Sequence, residues 1–248
     1  MGGALAVHAA LEGSINSLIG LIVIDVVEGT AMDALSSMQS FLRSRPKSFP
    51  TIENAIEWSM KSGQVRNSES ARVSMPGQLR NTQSNQCVAL EISEKAPEIS
   101  GDSEKVPVPL KSENSINEED ESEISEEPKE KQFKAPENSA EKISKNFSWR
   151  IDLSQTESHW SGWFGGLSSK FLSVSAFKML ILAGVDRLDR DLTVGQMQGK
   201  FQMQVLPQAG HAVHEDLPEK LAEILATYLL RNKFAEAKDD FLPTFPAC

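Results

Sequence analysis

The sequence predicts an α/β protein built on a parallel sheet. Two kinds of segment carry that expectation. The runs LIGLIVID (18–25) and KMLILAG (178–184) are continuously apolar and rich in branched residues. Such runs suit strands buried on both faces, as in parallel sheets. Between and after them lie segments with helical periodicity, the alternation that α/β architectures require.

The elements follow in order. Residues 2–12, GGALAVHAALE, are Ala-rich with Gly only at the start, a helix able to approach a sheet closely. The strand at 18–25 ends in Asp25. TAMDALSSMQSFLRSRP (30–46) places Met32, Leu35, Met38 and Leu42 on one side and meets Pro46, a helix stop. TIENAIEWSMKSG (51–63) opens on Thr51, with an acid two residues on, and closes on Gly63, the signals of a capped helix. Two short helices after a strand suggest a lid.

Composition then changes. Within residues 91–146 fall 16 of the 35 acidic and 8 of the 25 basic residues, a net −8 of the chain's −10. The stretch 81–146 is dominated by Ser, Glu, Lys, Pro and Asn, which bury too little apolar surface to offset chain entropy. It is expected to be a disordered acidic insertion between two parts of one domain, 1–80 and 147–248. Order is expected to return at FSWRIDLSQTESHWSGWFGGL (147–167), which holds three of the four tryptophans. The strands KMLILAGVDRLD (178–189) and KFQMQV (200–205) follow. PEKLAEILATYLLRNKF (218–234) is an amphipathic helix with the stripe Leu221, Ile224, Leu225, Tyr228, Leu229.

With nearly all the net charge in that insertion, a basic nucleic-acid-binding face is not expected. Neither is a membrane span, because no apolar run reaches about 18 residues. Two cysteines, Cys87 and Cys248, make no disulfide framework and fit a reducing compartment, the cytoplasm or nucleus.

Each strand delivers a candidate to its C-terminal end: Asp25, then Asp186, then His211. That edge is where sites form in open parallel sheets. An acid followed later by a histidine is the chain order of an α/β-hydrolase triad after its nucleophile. The histidine would act as general base, and the acid would fix its tautomer and stabilise the imidazolium. From the residues alone, Asp25 and Asp186 compete for the acid's place.

Other residues weigh less. His211 and His214 form H-x-x-H beside Glu215 and Asp216, but HEDLPEK reads as an acidic helix start, so no metal site is expected. His8 fits a packed or surface histidine, and His159 stands beside Trp160. Ser14, Ser74 and Ser168 lack a complete G-x-S-x-G setting; Ser168 has Gly166 before it but Lys170 where the second glycine belongs.

IDVVEGTAMDAL (24–35), IENAIEWSMKSGQVRNSESARVSMPGQ (52–78), WRIDLSQTESHWSGWFGGLS (149–168) and LILAGVDRLDRDLTVGQMQGKFQMQVLPQAGHAVHEDLPEKLAE (180–223) closely resemble the protein phosphatase methylesterase family. The resemblance covers most residues outside 81–146. It implies an α/β-hydrolase fold and a serine esterase that removes the methyl ester from the C-terminal leucine of the type 2A protein phosphatase catalytic subunit, with no cofactor. Within the family's G-H-S-M-G-G motif, Met1–Gly2–Gly3 match the last three residues. The nucleophile would then stand immediately before Met1, and the Met1 N–H would be an oxyanion-hole donor. The resemblance assigns Asp25 as triad acid and His211 as base, and it places Met197, within TVGQMQGKFQ (193–202), against the phosphatase. It implies that residues 1–248 alone are inactive and poorly soluble, with an apolar sheet edge uncovered. A truncated, non-catalytic phosphatase binder is the competing expectation; a relative acting on another small ester fits the phosphatase-facing stretch poorly.

Overall fold

A computed structural model describes residues 1–95, 146–184, 188–238 and 241. Residues 1–94 and 144–248 make one compact unit. A second unit, 95–143, lies outside the described residues except for Lys95.

Helix α1 (Gly2–Glu12) leads into β1 (Gly20–Ile24). Strand β5 (Phe177–Leu182) and β6 (Gln202–Val205) complete a parallel sheet in the order β1-β5-β6. Ile24 lies opposite Ile181, and Leu182 opposite Val205. In β5 the side chains divide between two cores. Leu180 and Leu182 join Val7 of α1, Leu21 and Val23 of β1, and Leu167 and Phe171. Met179 and Ile181 turn the other way, onto Leu221, Ile224 and Tyr228. All four are 3% exposed or less, so an unbroken apolar run is what a strand covered on both faces requires. β1 differs from its expectation: Leu21 and Val23 are buried, while Ile22 and Ile24 are only half-buried. α1 lies close to the sheet at Gly3, where a Cβ would stand 3.0 Å from Val23 Cγ1 and 3.3 Å from Val26 Cγ2.

On the Leu180 face, α6 (Glu157–Phe164) and α7 (Leu167–Ser173) pack with α1. Glu28 accepts from the N–H groups of Gly166 (2.8 Å) and Ser168 (3.0 Å), filling the open donors at the start of α7 with a carboxylate, as the helix dipole favours. On the opposite face lies α10 (Pro218–Arg231), preceded by the short α9 (Val213–Asp216).

The helices expected after β1 are α2 (Glu28–Ser44) and α3 (Ile52–Lys61). Thr51 caps α3, its hydroxyl accepting from Asn54 N–H at 3.2 Å. α4 (Ser68–Gln78) follows, capped by Asn67, whose side chain accepts from Glu69 and Ser70. These segments support a second sheet that the sequence reading did not anticipate. It pairs β2 (Ser48–Phe49), β4 (Phe147–Trp149) and β3 (Leu79–Asn81) antiparallel, in the order β2-β4-β3. Phe49, Trp58 and Trp149 meet at ring centroids 5.4–5.9 Å apart. The Arg45 guanidinium lies 3.6 Å from the Trp149 centroid, and burial pulls its pKa down. Trp149 Nε1 donates to Pro46 O at 2.7 Å.

The expected disordered stretch beginning at 81 is structured to 95. Asn81 ends β3, and its N–H donates to Gln86 O at 2.9 Å. Cys87 then leads into α5 (Val88–Lys95), and Val88 is 1% exposed against Phe49, Ala55, Met75 and Leu79. One well-placed valine anchors a polar segment that composition alone assigned to solvent.

Candidate active site

Asp25 follows the last residue of β1. Its N–H still donates to Ile181 O at 2.7 Å, so the parallel ladder extends one residue beyond the strand. Its backbone then turns left-handed, with φ of 50°. For an L-residue that conformation costs about 1–2 kcal/mol, a cost Asp tolerates better than most. Strain of this kind persists where surrounding contacts over-determine it, and it clusters at functional sites. Here the turn directs the carboxylate along the sheet edge. Its side chain is 0% exposed. Oδ1 accepts from Ala183 N–H at 3.0 Å, just past the end of β5, and Oδ2 lies 2.8 Å from His211 Nδ1.

Because an ionised carboxylate only accepts, the imidazole proton resides on Nδ1. Nε2 is then left with its lone pair, ready to take a proton. The His211 side chain is 73% exposed, so the ring beyond its buried contact faces outward. A buried acid, a tautomer-fixed imidazole and an accessible Nε2 make an acid–base pair able to activate a hydroxyl.

The loop bearing His211 is itself held. Leu206 N–H donates to Leu182 O at 2.8 Å, tying the end of β6 to β5. Asp216, 8% exposed, accepts from Gly210 N–H at Oδ2 (2.6 Å) and from Arg66 N–H at Oδ1 (2.7 Å). The Arg66 side chain donates from Nη1 to Gln208 O at 3.0 Å. Sequence reading missed this set. HEDLPEK resembled an ordinary acidic helix start, and the only local signal was a glycine directly before the histidine.

The remaining candidates divide clearly. Asp186 lies outside the described residues. Met1 caps α1, its carbonyl accepting from Leu5 N–H at 3.2 Å. Met197 is the last residue of α8 (Arg190–Met197) and is 79% exposed; its segment is helical rather than a simple loop. Ser168 is buried and donates to Asp189. Ser74 donates to Glu215 Oε2 at 2.8 Å. His8 Nε2 lies 3.1 Å from Trp163 O, and the His159 ring stacks on Trp163 at 6.2 Å. His214 Nε2 is 3.7 Å from Glu215 Oε1. Among the described residues, no group of three or more His, Cys, Asp or Glu is arranged to hold a metal ion, and no helix is long and apolar enough to cross a membrane.

A parallel sheet whose strand ends bring a buried aspartate to a later histidine, with helices on both faces, is the arrangement that α/β-hydrolases use for their acid–base pair. No family model matches it. Curated relatives are more particular. Protein phosphatase methylesterase 1 of Mus musculus and of Homo sapiens are each 54% identical over 248 residues, all of this chain and 60% of each relative. A probable protein phosphatase methylesterase 1 of Caenorhabditis elegans is 43% identical over 99% of the chain and 51% of that relative. A solved esterase of Mycobacterium tuberculosis is 14% identical, with a TM-score of 0.48 over 92% of this chain and 57% of that one. Over its whole length the chain is therefore similar to these methylesterases, and it spans about 60% of the length of the mammalian relatives it matches.

Proposed function

We propose that residues 1–248 supply the acid–base part of a serine-type methyl esterase that demethylates the C-terminal leucine of the type 2A protein phosphatase catalytic subunit. The observation that carries this reading is the Asp25–His211 contact at 2.8 Å, with the acid buried and the base exposed. The names of the relatives support the phosphatase ester as substrate. In this reading a serine hydroxyl, standing just before Met1, attacks the ester carbonyl while His211 Nε2 takes its proton. The Met1 N–H donates to the developing oxyanion. Collapse of the tetrahedral intermediate releases methanol, which leaves with the proton from His211. Water, deprotonated by the same imidazole, then splits the acyl-enzyme and returns the carboxylic acid and the serine hydroxyl. Asp25 stabilises each imidazolium. Met197 faces the phosphatase. The free thiol of Cys87 suits a reducing setting, the cytoplasm or nucleus.

The test is demethylation of a peptide ending in leucine methyl ester, by a polypeptide in which a Gly-His-Ser-bearing segment precedes Met1. Methanol release that is lost on changing that Ser to Ala supports the reading. A folded polypeptide that leaves the ester intact sinks it. A second reading, phosphatase binding without catalysis, draws on the exposure of Met197 (79%) and Val194 (45%) on α8. Capture of the phosphatase catalytic subunit by residues 1–248, with no hydrolysis by either polypeptide, would favour it.

A further inference from the structure

We propose that Asp216 is a positioning residue for His211, acting with Arg66 as a clamp on the turn that carries the base. The inference rests on the reading of His211 as the general base, and it names what aims that base. His211 is largely exposed, so packing against its ring does little to fix it. Its direction depends on the backbone immediately before it. There Asp216 Oδ2 accepts from Gly210 N–H at 2.6 Å, and Arg66 Nη1 donates to Gln208 O at 3.0 Å. The clamp closes on itself, because Asp216 Oδ1 accepts from the N–H of Arg66 at 2.7 Å. Two residues of the turn are thus referenced to the loop between α3 and α4, Gln208 directly and Gly210 through Asp216.

Two further observations point the same way. A Cβ on residue 210 would stand 2.9 Å from Asp216 Oδ2 and 3.2 Å from Arg66 Nε, so a glycine lets the clamp approach the backbone this closely. Asp216 also spends both carboxylate oxygens on backbone N–H groups from segments about 145 residues apart in sequence. Charge-assisted bonds to N–H donors are roughly twice as strong as neutral ones. An asparagine would keep the shape, but its NH2 group would oppose one of the two donors. The turn would then relax, and His211 Nδ1 would lose alignment with Asp25. Misplacement of a reacting group by about 1 Å can cost about 100-fold in rate.

The experiment reads the His211 tautomer by imidazole 15N NMR in residues 1–248, with thermal melting as a check on folding. The unchanged chain is expected to hold the Nδ1–H form. Asp216→Asn is expected to shift His211 toward the Nε2–H form that an unpaired imidazole prefers. Arg66→Ala keeps the backbone bond to Asp216 and is an exposed change that should fold, and it is expected to give a smaller shift of the same sign. Ser74→Ala, which breaks the neighbouring bond to Glu215, is expected to leave the tautomer alone. A folded Asp216→Asn chain with His211 still in the Nδ1–H form overturns the proposal. Should that variant not fold, an unshifted tautomer in Arg66→Ala overturns it instead. In the serine-bearing polypeptide, Asp216→Asn is expected to lower kcat about 10- to 100-fold with KM unchanged. A tautomer shift in a polypeptide that hydrolyses no ester keeps the clamp and removes the esterase reading, so the two fail separately.

Discussion

Asp25 closes a core strand, its carboxylate sealed from solvent and its backbone held at φ 50°. His211 rides a turn, with nearly three quarters of its side chain in solvent. The acid is placed by the sheet: its N–H extends the ladder to Ile181 O, and its Oδ1 accepts from Ala183 N–H. The base is placed by a few polar contacts outside the sheet, those of Asp216 and Arg66. One member of the pair is therefore bound up with folding, and the other is tied to it mainly through that one contact. Substitutions should separate the two.

His211→Ala should show the largest effect on chemistry with only a modest one on stability. In a serine-bearing polypeptide, ester hydrolysis is expected to fall at least about 10,000-fold. Unfolding of residues 1–248 by urea should move by about 1 kcal/mol, because the buried Asp25 Oδ2 loses the imidazole N–H as a donor. Asp25→Asn should also cost about 10,000-fold, because an amide can hold the wrong tautomer. A loss much nearer that of an ordinary surface change would mean that the buried contact does not serve the base.

Stability should then reverse the order. Asp25→Ala leaves the buried Ala183 N–H without its partner, at about 1–3 kcal/mol, and keeps a side chain in the left-handed region, at about 1–2 kcal/mol. Asp25→Gly removes the second cost and keeps the first. Urea unfolding of the pair should find the glycine variant more stable by about 1 kcal/mol. Equal stabilities would mean that the strain at 25 is relieved elsewhere.

The same contrast explains what could be read from sequence. The sheet was legible because a strand covered on both faces leaves an unbroken apolar run, and Met179–Leu182 is such a run. Asp25 stood out because it directly follows a strand, and His211 because it stands on the loop after another. The clamp was not legible: Asp216 reaches Arg66 across 150 residues, and no local pattern records that meeting. The second sheet escaped for a related reason. Its strands are two or three residues long, too short for periodicity to show, and β4 arrives from the far side of the acidic stretch to pair with both others. Val88 made the same point in miniature, a buried side chain in a segment whose composition argued for solvent.

The aromatic sheet offers a middle test. Trp149 packs on Phe49 and Trp58, carries the Arg45 guanidinium and donates to Pro46 O. Trp149→Ala should cost about 3 kcal/mol, with amide exchange accelerated in β2, β3 and β4. The His211 tautomer should not move, because Asp25 is held by the parallel sheet and the turn of His211 by Asp216 and the Arg66 side chain. Movement would mean that the aromatic sheet also holds the base in place.

The smallest effect belongs to Met197. Its side chain is 79% exposed at the end of α8, so Met197→Ala should leave unfolding within about 0.5 kcal/mol of the original. Single contacts that matter in an interface cost more than about 1 kcal/mol when truncated. If Met197 faces the phosphatase, capture of the catalytic subunit should weaken about five- to tenfold, while hydrolysis of a short methyl-ester peptide is unchanged. Equal loss on both substrates would place Met197 with the acid–base pair instead of with the partner. No loss on either would leave its exposure without a function, and the docking surface would have to be sought elsewhere.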